Sequence, residues 1–331
     1  MGSPVNQMHA AFAGADPVFY ERPGQGGGES TGRFGPDSER DWSSWAQVTD
    51  DHWTHWHPLR RDLPEQGWKV HVSTVPAQAH DVLRRVSAYC HSSQLTFKHL
   101  RDEPTLGRAM SKDADRASAG KFIAIFPATD AELHDCLVDL ETVLIGTVGP
   151  YVLSDVRWNE SSLYLRYGGF RRLSVVKDGM PVPAIRDLRS GELVPDVRAP
   201  GFYVPPWAHI TEFLRPQIRR RHDIAPPEGF PQILGVLHHS NAGGVYLAEV
   251  DETRVVLKEA RPHSGWTPDG RDAVDRLFDE RRTLASLSGA VNVPRPLGTF
   301  SSEGHHFLVL DHIEGTSLVE AVIHCNPAGG R

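Results

Sequence analysis

The sequence is poor in cysteine, and the cysteines it has are far apart. Cys90, Cys136 and Cys325 form no Cys-x-x-Cys pair in a chain of 331 residues. A disulfide framework or a structural zinc site needs paired or clustered cysteines. The spacing therefore argues against both, and we predict no metal site.

Long apolar runs are also missing. No stretch approaches the roughly 18 apolar residues of a membrane-spanning helix, and the N-terminus lacks the basic-then-apolar pattern of a secretory signal. These absences predict a cytoplasmic protein with no membrane partner. The formal net charge of −7 argues against a general nucleic-acid binder, because such proteins carry a basic surface.

Histidine, by contrast, is abundant, with 18 residues. His52, His55 and His57 lie among tryptophans in Asp-His-Trp-Thr-His-Trp-His. No further residue completes a ligand set at metal-site spacing. The segment is therefore predicted to pack its tryptophan rings on a core.

The length predicts two domains, since domains usually hold roughly 100–200 residues. A charged run followed by a Pro-rich one after Arg219 indicates a linker. We predict a flexible N-terminal arm at 1–40, a first domain at 41–222, a linker at 223–232 and a second domain at 233–331. Both domains mix helical and strand patterns, so the predicted fold class is α+β.

Residue alternation predicts a strand at Trp68–Val75, with Lys69 and His71 on one face and Val70 and Val72 on the other. The Pro-rich stretch Pro181–Pro206 is typical of loops and turns. The same kinds of pattern predict further elements: helices at Ala79–Tyr89, Ala131–Leu144 and Ala273–Leu287, strands at Gly120–Phe126, Leu163–Tyr167, Val255–Lys258 and His306–Leu310, and a hairpin at Ile233–Val250.

The first domain carries cationic side chains in several short motifs: Lys69-Val-His71, Lys98, Arg116-Ala-Ser-Ala-Gly-Lys121 and Tyr164-Leu-Arg166. A lysine can act as a base only if its pKa falls from about 10.4, and neighbouring cations lower it. A histidine near a phosphate can stay protonated and donate. These residue types suit elimination of phosphate from a phosphorylated serine or threonine, which needs a base, an acid and cations.

Several stretches resemble the phosphothreonine lyase family of bacterial effector enzymes and, more closely, the lyase domain of class III lanthipeptide synthetases. The resemblance covers about residues 45–215 and rests on motifs in the same order: Gln66-Gly-Trp-Lys-Val-His-Val-Ser73, Phe97-Lys98, Arg116 to Phe122, Ser154-Asp-Val156, Leu163 to Phe170 and Phe202 to Trp207. It implies a phosphothreonine-lyase-like fold. It also implies β-elimination of phosphate from a ribosomally made precursor peptide, which gives dehydroalanine or dehydrobutyrine without a cofactor.

The resemblance also implies residue roles. Lys98 is the expected general base, and His71 is the expected general acid on the departing oxygen. The expected phosphate-binding residues are Lys69, Arg116, Lys121 and Arg166. Tyr164 and Asp155 are expected to position these cations. The chain departs from the effector lyases in one place, because Gly168 stands after Tyr167 where they have an arginine.

The second domain resembles the N-terminal lobe of a protein kinase, in the version found in the same synthetases. Gly243 and Gly244 match part of a glycine-rich loop, Lys258 matches the strand lysine, and Glu280 lies on the next helix, where it could pair with Lys258. The first two glycine positions of the loop are instead His238 and Ser240. The resemblance implies binding of ATP or GTP with Mg²⁺ by the complete kinase domain.

The chain carries no His-Arg-Asp or Asp-Phe-Gly motif after this lobe. We therefore expect a truncated lobe without kinase turnover, whose uncovered apolar surface could favour self-association. Two alternatives stay open. The chain could be a non-catalytic module that binds a phosphorylated or acidic leader peptide, or a kinase whose remaining lobe comes from a separate chain.

Overall fold

The computed structural model describes residues 32–223, 226–316, 318 and 321–322. Most of the predicted arm, and Cys325, lie outside these residues. Residues 32–40 are described, and they pack against the first domain rather than extending from it. Phe34 is buried in the core, and the backbone amide of Asp37 donates to Ser87 Oγ at 2.7 Å.

The first domain is built on a seven-stranded antiparallel sheet with the strand order β1-β2-β4-β5-β3-β7-β6. Its strands are β1 (Trp45–Thr49), β2 (Trp53–Pro58), β3 (Gln66–Val72), β4 (Thr96–Leu100), β5 (Ile123–Phe126), β6 (Val156–Arg157) and β7 (Leu163–Gly169). Its helices are α1 (Ala79–Ser92), α2 (Glu103–Met110), α3 (Asp130–Val143) and α4 (Arg215–His222). The order places β3 and β4 on either side of β5.

One face of this sheet is apolar and packs in the core with α1 and α3. Val70, Val72 and Phe97 are fully buried there, and Leu133 and Leu137 of α3 belong to the same cluster. Because side chains alternate along a strand, Lys69 and His71 lie on the opposite face, as the sequence predicts. Both are nevertheless buried, so this second face is covered and not open to bulk water.

The tryptophan-rich N-terminal segment forms β1 and β2, and it packs as predicted. Trp45 and Trp56 are buried in the same core. Two of the histidines have hydrogen-bond partners of their own: His55 contacts Asp50 at 3.2 Å and His57 contacts Thr96 Oγ1 at 2.8 Å.

A small three-stranded sheet was not predicted from the sequence. Its strands β8 (Leu173–Lys177), β9 (Met180–Arg186) and β10 (Leu193–Pro195) pair in the order β10-β9-β8. Two of them, β9 and β10, lie in or at the edge of the Pro181–Pro206 stretch that was predicted as loops and turns. Pro181 and Pro183 belong to the central strand and made it resemble a loop. The carbonyl of Pro183 accepts from the amide of Asp196, on the β10 side. In a strand, the N and the C=O of one residue face the same neighbouring strand. The nitrogen of Pro183 therefore faces away from β8, and its missing N–H removes no hydrogen bond between β9 and β8.

The second domain is a five-stranded antiparallel sheet with one helix on it. The strands are β11 (Gln232–Ser240), β12 (Gly243–Val250), β13 (Thr253–Ala260), β14 (Pro296–Ser302) and β15 (His305–Asp311), in the order β11-β12-β13-β15-β14, and the helix is α5 (Ala273–Leu287). A capping box at Asp272 begins α5, and Leu277 packs on Leu308 and Leu310. The predicted hairpin and helix are confirmed, as is the α+β class; β14 was not predicted.

The two domains meet at the turn between β11 and β12. The backbone amide of Asn241 donates to Lys112 O at 3.0 Å, and its side chain donates to Ser111 O at 2.9 Å. Arg261 donates to Tyr151 O at 2.5 Å and to Asn241 O at 3.1 Å. The turn that matches the glycine-rich loop in sequence is thus docked on the segment that follows α2.

No helix within the described ranges is long and apolar enough to cross a membrane.

Candidate active site

A row of paired residues crosses the first sheet from β2 to β6. In order across the strands, its members are His55, Lys98, Ala124, His71, Tyr164 and Arg157. Residues directly paired in an antiparallel sheet direct their side chains to the same face. Lys98 and His71 therefore share one face, with the methyl group of Ala124 between them. At about 4.8 Å per strand spacing, their Cα atoms lie roughly 10 Å apart.

A second row lies two residues along the same strands. Lys69 pairs with Arg166 across β3 and β7, and its Nζ lies 5.6 Å from the centroid of the Phe126 ring on β5. Register thus brings the residues predicted as base, acid and two of the phosphate ligands onto one face. Sequence spacing alone could not show that Lys98 and His71 share a face, because their strands, β4 and β3, are not neighbours and each pairs with β5.

Lys98 has an environment that favours loss of its proton. Within the described residues it makes no hydrogen bond or ion pair, and its Nζ lies 4.2 Å from the centroid of the Trp53 ring. Burial lowers its pKa to about 8, with further lowering from the charges of Arg198, Arg172 and Lys121, while Asp50 acts in the opposite direction. A lysine with this pKa is partly neutral near pH 7 and can accept a proton.

His71 is joined to Lys121 through a buried carboxylate. Asp155 is fully buried, and its Oδ2 lies 2.5 Å from His71 Nδ1 while its Oδ1 lies 3.1 Å from Lys121 Nζ. Ser154 Oγ donates to the same carboxylate at 2.7 Å. Burial opposes ionisation of Asp155, but Lys121 and His71 outweigh it and hold its pKa below the usual range. Asp155 therefore fixes the orientation of the imidazole.

Burial also lowers the pKa of His71 to about 4, against the opposing effect of Asp155. The imidazole is then neutral at pH 7, with its Nδ1 proton directed at Asp155 and its Nε2 accepting. A dianion placed beside Nε2 would raise the pKa and let the ring take up a second proton. His71 can thus serve as an acid only once an anion is bound.

Arg166 is already engaged by the protein. Its guanidinium makes an ion pair with Asp196 and donates to Val197 O at 2.7 Å. A Cβ at residue 168 would lie 2.7 Å from Arg166 Nη1. A side chain at position 168 would therefore require the Arg166 guanidinium to shift from its present position beside Asp196. Burial, with the charge of Arg166, holds the pKa of Lys69 well below its usual value.

A cleft of about 650 Å³ opens between the first sheet and the small sheet of β8–β10. Lys69, Lys98 and Trp53 line it, together with Arg198. His71, Lys121 and Asp155 do not line the cleft; they are buried beside it on the same sheet face. A ligand in the cleft would thus meet Lys98 and Lys69 first.

Arg116 interacts electrostatically with the second domain. Its charge acts on His239, Tyr246 and Arg261 of the second domain, and its Nε is buried without a hydrogen-bond partner in the described structure. The structure does not bring Arg116 into the hydrogen bonds or ion pairs of Asp155.

Tyr164 lies beside His71 in the row and is buried. Its ring contacts the ring of Tyr151 edge-on, with the centroids 5.3 Å apart. Tyr151 in turn accepts the bond from Arg261. Tyr164 therefore connects the sheet face with the contact between the domains.

The second domain brings together two of its predicted residues. Lys258 Nζ on β13 lies 2.5 Å from Glu280 Oε1 on α5. Gly243 and Gly244 have a packing reason for being glycine, because a Cβ would lie 2.1 Å from Glu259 O at the first and 2.2 Å from Tyr246 Oη at the second. The lysine–glutamate pair fits a nucleotide-phosphate site. No group of three or more metal-ligating side chains suited to a metal ion occurs among the described residues.

Sequence reasoning missed three residues of this site. Trp53 was assigned only to core packing, although the alternation of buried positions along β2 places Trp53, His55 and His57 on one face. Arg198 lies 3.5 Å from Asp196 Oδ2, and its charge also acts on Lys69 and Lys98. Neither Arg198 nor Asp196 has a local sequence signal, since both follow an unpredicted strand.

Three comparisons with known proteins bear on this site. A family described as RamC, N-terminal domain, matches residues 33–224, more than half of the chain. The chain is 41% identical over 324 residues to a protein named Probable SapB synthase from Streptomyces coelicolor (strain ATCC BAA-471 / A3(2) / M145). The aligned region covers 96% of the chain and 35% of that relative. The chain thus spans about a third of the length of this relative.

Among solved structures, one is that of the type III effector and phosphothreonine lyase OspF from Shigella flexneri. Its superposition covers 40% of the chain and 73% of the OspF chain, with 16% identity and a TM-score of 0.32. A second phosphothreonine lyase structure overlaps 39% of the chain and 66% of its own, with 15% identity and a TM-score of 0.31. Both likenesses are too slight to carry an argument. The match over residues 33–224, which covers every residue of the cationic site, shows that the chain belongs to the RamC N-terminal domain family.

Proposed function

We propose that the first domain eliminates phosphate from phosphoserine and phosphothreonine residues of a ribosomally made precursor peptide, a step of lanthipeptide biosynthesis. The observation that carries the proposal is the register of Lys98 and His71 on either side of Ala124, beside a cationic cleft. The name of the S. coelicolor relative, a synthase, is consistent with a biosynthetic role.

The proposed reaction needs only protein side chains. The neutral amine of Lys98 takes the hydrogen from the α-carbon, and the electron pair of that bond forms the double bond to the β-carbon. The bond from the β-carbon to the bridging oxygen breaks, and His71 gives its Nε2 proton to that oxygen. The products are dehydroalanine or dehydrobutyrine, hydrogen phosphate, a Lys98 ammonium and a neutral imidazole.

The cations around this pair stabilise the dianion and its departure. Lys69 and Lys121 flank His71, and Arg166 lies next to Lys69. Their buried charges act in a medium where electrostatic interactions are stronger than in water. The same dianion supplies the charge that lets His71 take up its second proton. In this scheme, binding of the phosphorylated substrate is what converts His71 into its acidic, protonated form.

The test is incubation with a phosphoserine peptide, followed by mass spectrometry. We expect loss of phosphoric acid from the phosphorylated side chain, abolished by Lys98→Ala. Lys177→Ala is the matched control, because Lys177 is an exposed lysine on β8. No product from the unaltered protein, or undiminished product from Lys98→Ala, would contradict the proposal.

A second candidate function is binding without turnover. The neutral state of His71 and the engagement of Arg166 with Asp196 favour it, because both groups are already committed inside the protein. The domain would then hold a phosphorylated or acidic leader peptide in the cationic cleft. Peptide affinity that survives Lys98→Ala, in a protein that releases no phosphate, would decide for this function.

For the second domain, we propose that Lys258, oriented by Glu280, contacts nucleotide phosphates in a complete kinase domain. ATP or GTP with Mg²⁺ would supply the transferred phosphoryl group there. The described residues include no group of three or more His, Cys, Asp or Glu side chains that could hold a metal ion. We expect no transfer of label from ATP to a peptide by this chain alone. Transfer regained on mixing with a separate polypeptide would favour a kinase completed in trans.

A further inference from the structure

Lys98 is held by an aromatic ring rather than by a carboxylate. Its Nζ lies 4.2 Å from the centroid of the Trp53 ring, and within the described residues it has no ion pair or hydrogen bond. We infer that Trp53 is the positioning residue for Lys98: its ring face orients the side chain and stabilises the ammonium without accepting its proton. The inference rests on the proposed function, in which Lys98 is the base.

The contact follows from the register of β2 and β4. Trp53 pairs with Leu100 and His55 pairs with Lys98, so Trp53 is the diagonal neighbour of Lys98 on the same face. Diagonal neighbours lie roughly 7–8 Å apart, within reach of an aromatic ring and a long side chain. Asp50 fixes the Trp53 backbone, since its Oδ1 accepts the Trp53 amide at 2.8 Å and its amide donates to Trp53 O at 2.9 Å.

None of the described charged groups around Lys98 makes an ion pair with it that could position it in place of the ring. Asp50 is the acidic group acting on it, but that carboxylate contacts His55 at 3.2 Å and Arg172 at 3.1 Å instead. Asp196 also lines the cleft, but its carboxylate is paired with Arg166. Further charges around Lys98 are cationic and come from several elements: Lys69, Lys121, Arg172 and Arg198, with His55 beside them. The ring and Asp50 therefore favour the charged form of Lys98 against these cations.

An aromatic face suits a lysine that must exchange its proton. A carboxylate hydrogen-bonded to Nζ would hold the ammonium strongly and keep the amine from acting as a base. A cation–π contact is weaker and has no lone pair that competes for the proton. The neutral amine can then turn toward the α-carbon, and the ammonium formed by the reaction can return to the ring.

Fluorinated tryptophans at position 53 test this inference, because fluorine withdraws charge from the ring face while nearly preserving ring size and burial. The pKa of Lys98 can be followed by NMR of ¹³C-methylated lysines. The chain has six lysines, and Lys98→Arg assigns the signal. We expect the pKa to fall stepwise with fluorine number, by about 0.5–1.5 units in total, and the midpoint of the pH–rate profile to fall with it.

The same substitutions at Trp207 are the control, since that ring packs edge-on against Tyr167 at 5.8 Å. A Lys98 pKa that stays constant across the series, or that shifts equally with Trp207, would overturn the inference. If phosphate release proceeds while the pKa and the midpoint stay constant, Trp53 has no such role and the proposed function stands. If no phosphate is released, the proposed function fails, and the catalytic role of Trp53 fails with it.

Discussion

The carboxylate of Asp155 links the proposed acid, His71, to Lys121, which we propose binds phosphate, and Asp155→Asn should damage both. In the structure one oxygen contacts His71 and the other contacts Lys121. The asparagine keeps the size of the side chain but removes its charge. Lys121 then has a buried ammonium without a carboxylate, and His71 loses the partner that fixes its tautomer.

The magnitude follows from the burial of the pair. Removing one partner of a buried ion pair costs about 3–5 kcal/mol, so we expect Asp155→Asn to lose about 3 kcal/mol in the free energy of unfolding at pH 7. A hydrogen bond to a charged group contributes about 1.5–3 kcal/mol, which corresponds to a fall of roughly 10- to 100-fold in kcat/KM for elimination.

The pH dependence of this loss has a definite sign. Burial already lowers the pKa of Lys121, and Asp155 opposes that shift; without Asp155 the pKa falls further. Between the folded pKa of the variant and the higher folded pKa of the unaltered protein, the folded variant binds fewer protons than the folded unaltered protein, while the two unfolded states bind the same number. The stability of the variant relative to the unaltered protein then rises with pH over that range. The deficit of Asp155→Asn should therefore shrink as the pH rises from 7 to 9.

Urea unfolding at both pH values, followed by circular dichroism, measures this deficit. Asp135→Asn is the control, because the Asp135 side chain is 72% exposed and its ion pair is with the neighbouring His134, at 3.4 Å. A variant within about 1 kcal/mol of the unaltered protein, below the cost expected for a broken buried pair, would refute the reasoning. A deficit that grows with pH would refute it as well.

Three further outcomes are expected. The proposed elimination requires a neutral Lys98, whose pKa burial lowers to about 8. The rate should therefore rise with pH, with the midpoint of the pH–rate profile near that value. A rate that does not change between pH 6 and pH 9 would exclude Lys98 as the base. At a pH well above the pKa of Lys98, where the amine is neutral with or without the charge of Arg198, Arg198→Ala should raise KM about fivefold and leave kcat unchanged, since a half-exposed cation contributes about 1 kcal/mol. Arg189→Ala, which removes a pair with Asp187, should alter neither constant. Gly168→Ala should displace Arg166 and cost about 1–3 kcal/mol of stability, measured by urea unfolding; a neutral effect would show that Arg166 adjusts freely.

Local sequence patterns were sufficient for much of the fold. The strand of Lys69 and His71 is present at Gln66–Val72 rather than Trp68–Val75, and its pairing places these two side chains on one face as predicted. The helix Ala273–Leu287 begins and ends where predicted. Such patterns are readable because a strand or helix buries one face, which fixes residue types at short spacing.

The rest depends on contacts between distant parts of the chain. The register that places Trp53 diagonal to Lys98 is set by strand pairing and leaves no trace in the spacing of either motif. The charge of Arg116, a residue expected to bind phosphate, acts on His239 and Arg261 of the second domain, and no local pattern indicates this interaction. Side-chain direction in an irregular segment is decided by the neighbours it meets, and these are not local.

The most direct test is the structure of Lys98→Ala bound to a phosphoserine peptide. We expect the phosphoserine above Ala124, with its α-hydrogen facing the vacated position of the Lys98 amine and its bridging oxygen about 3 Å from His71 Nε2. A phosphate held only near Arg171 and Arg172, which also line the cleft, with the α-carbon directed away from residue 98, would contradict the mechanism.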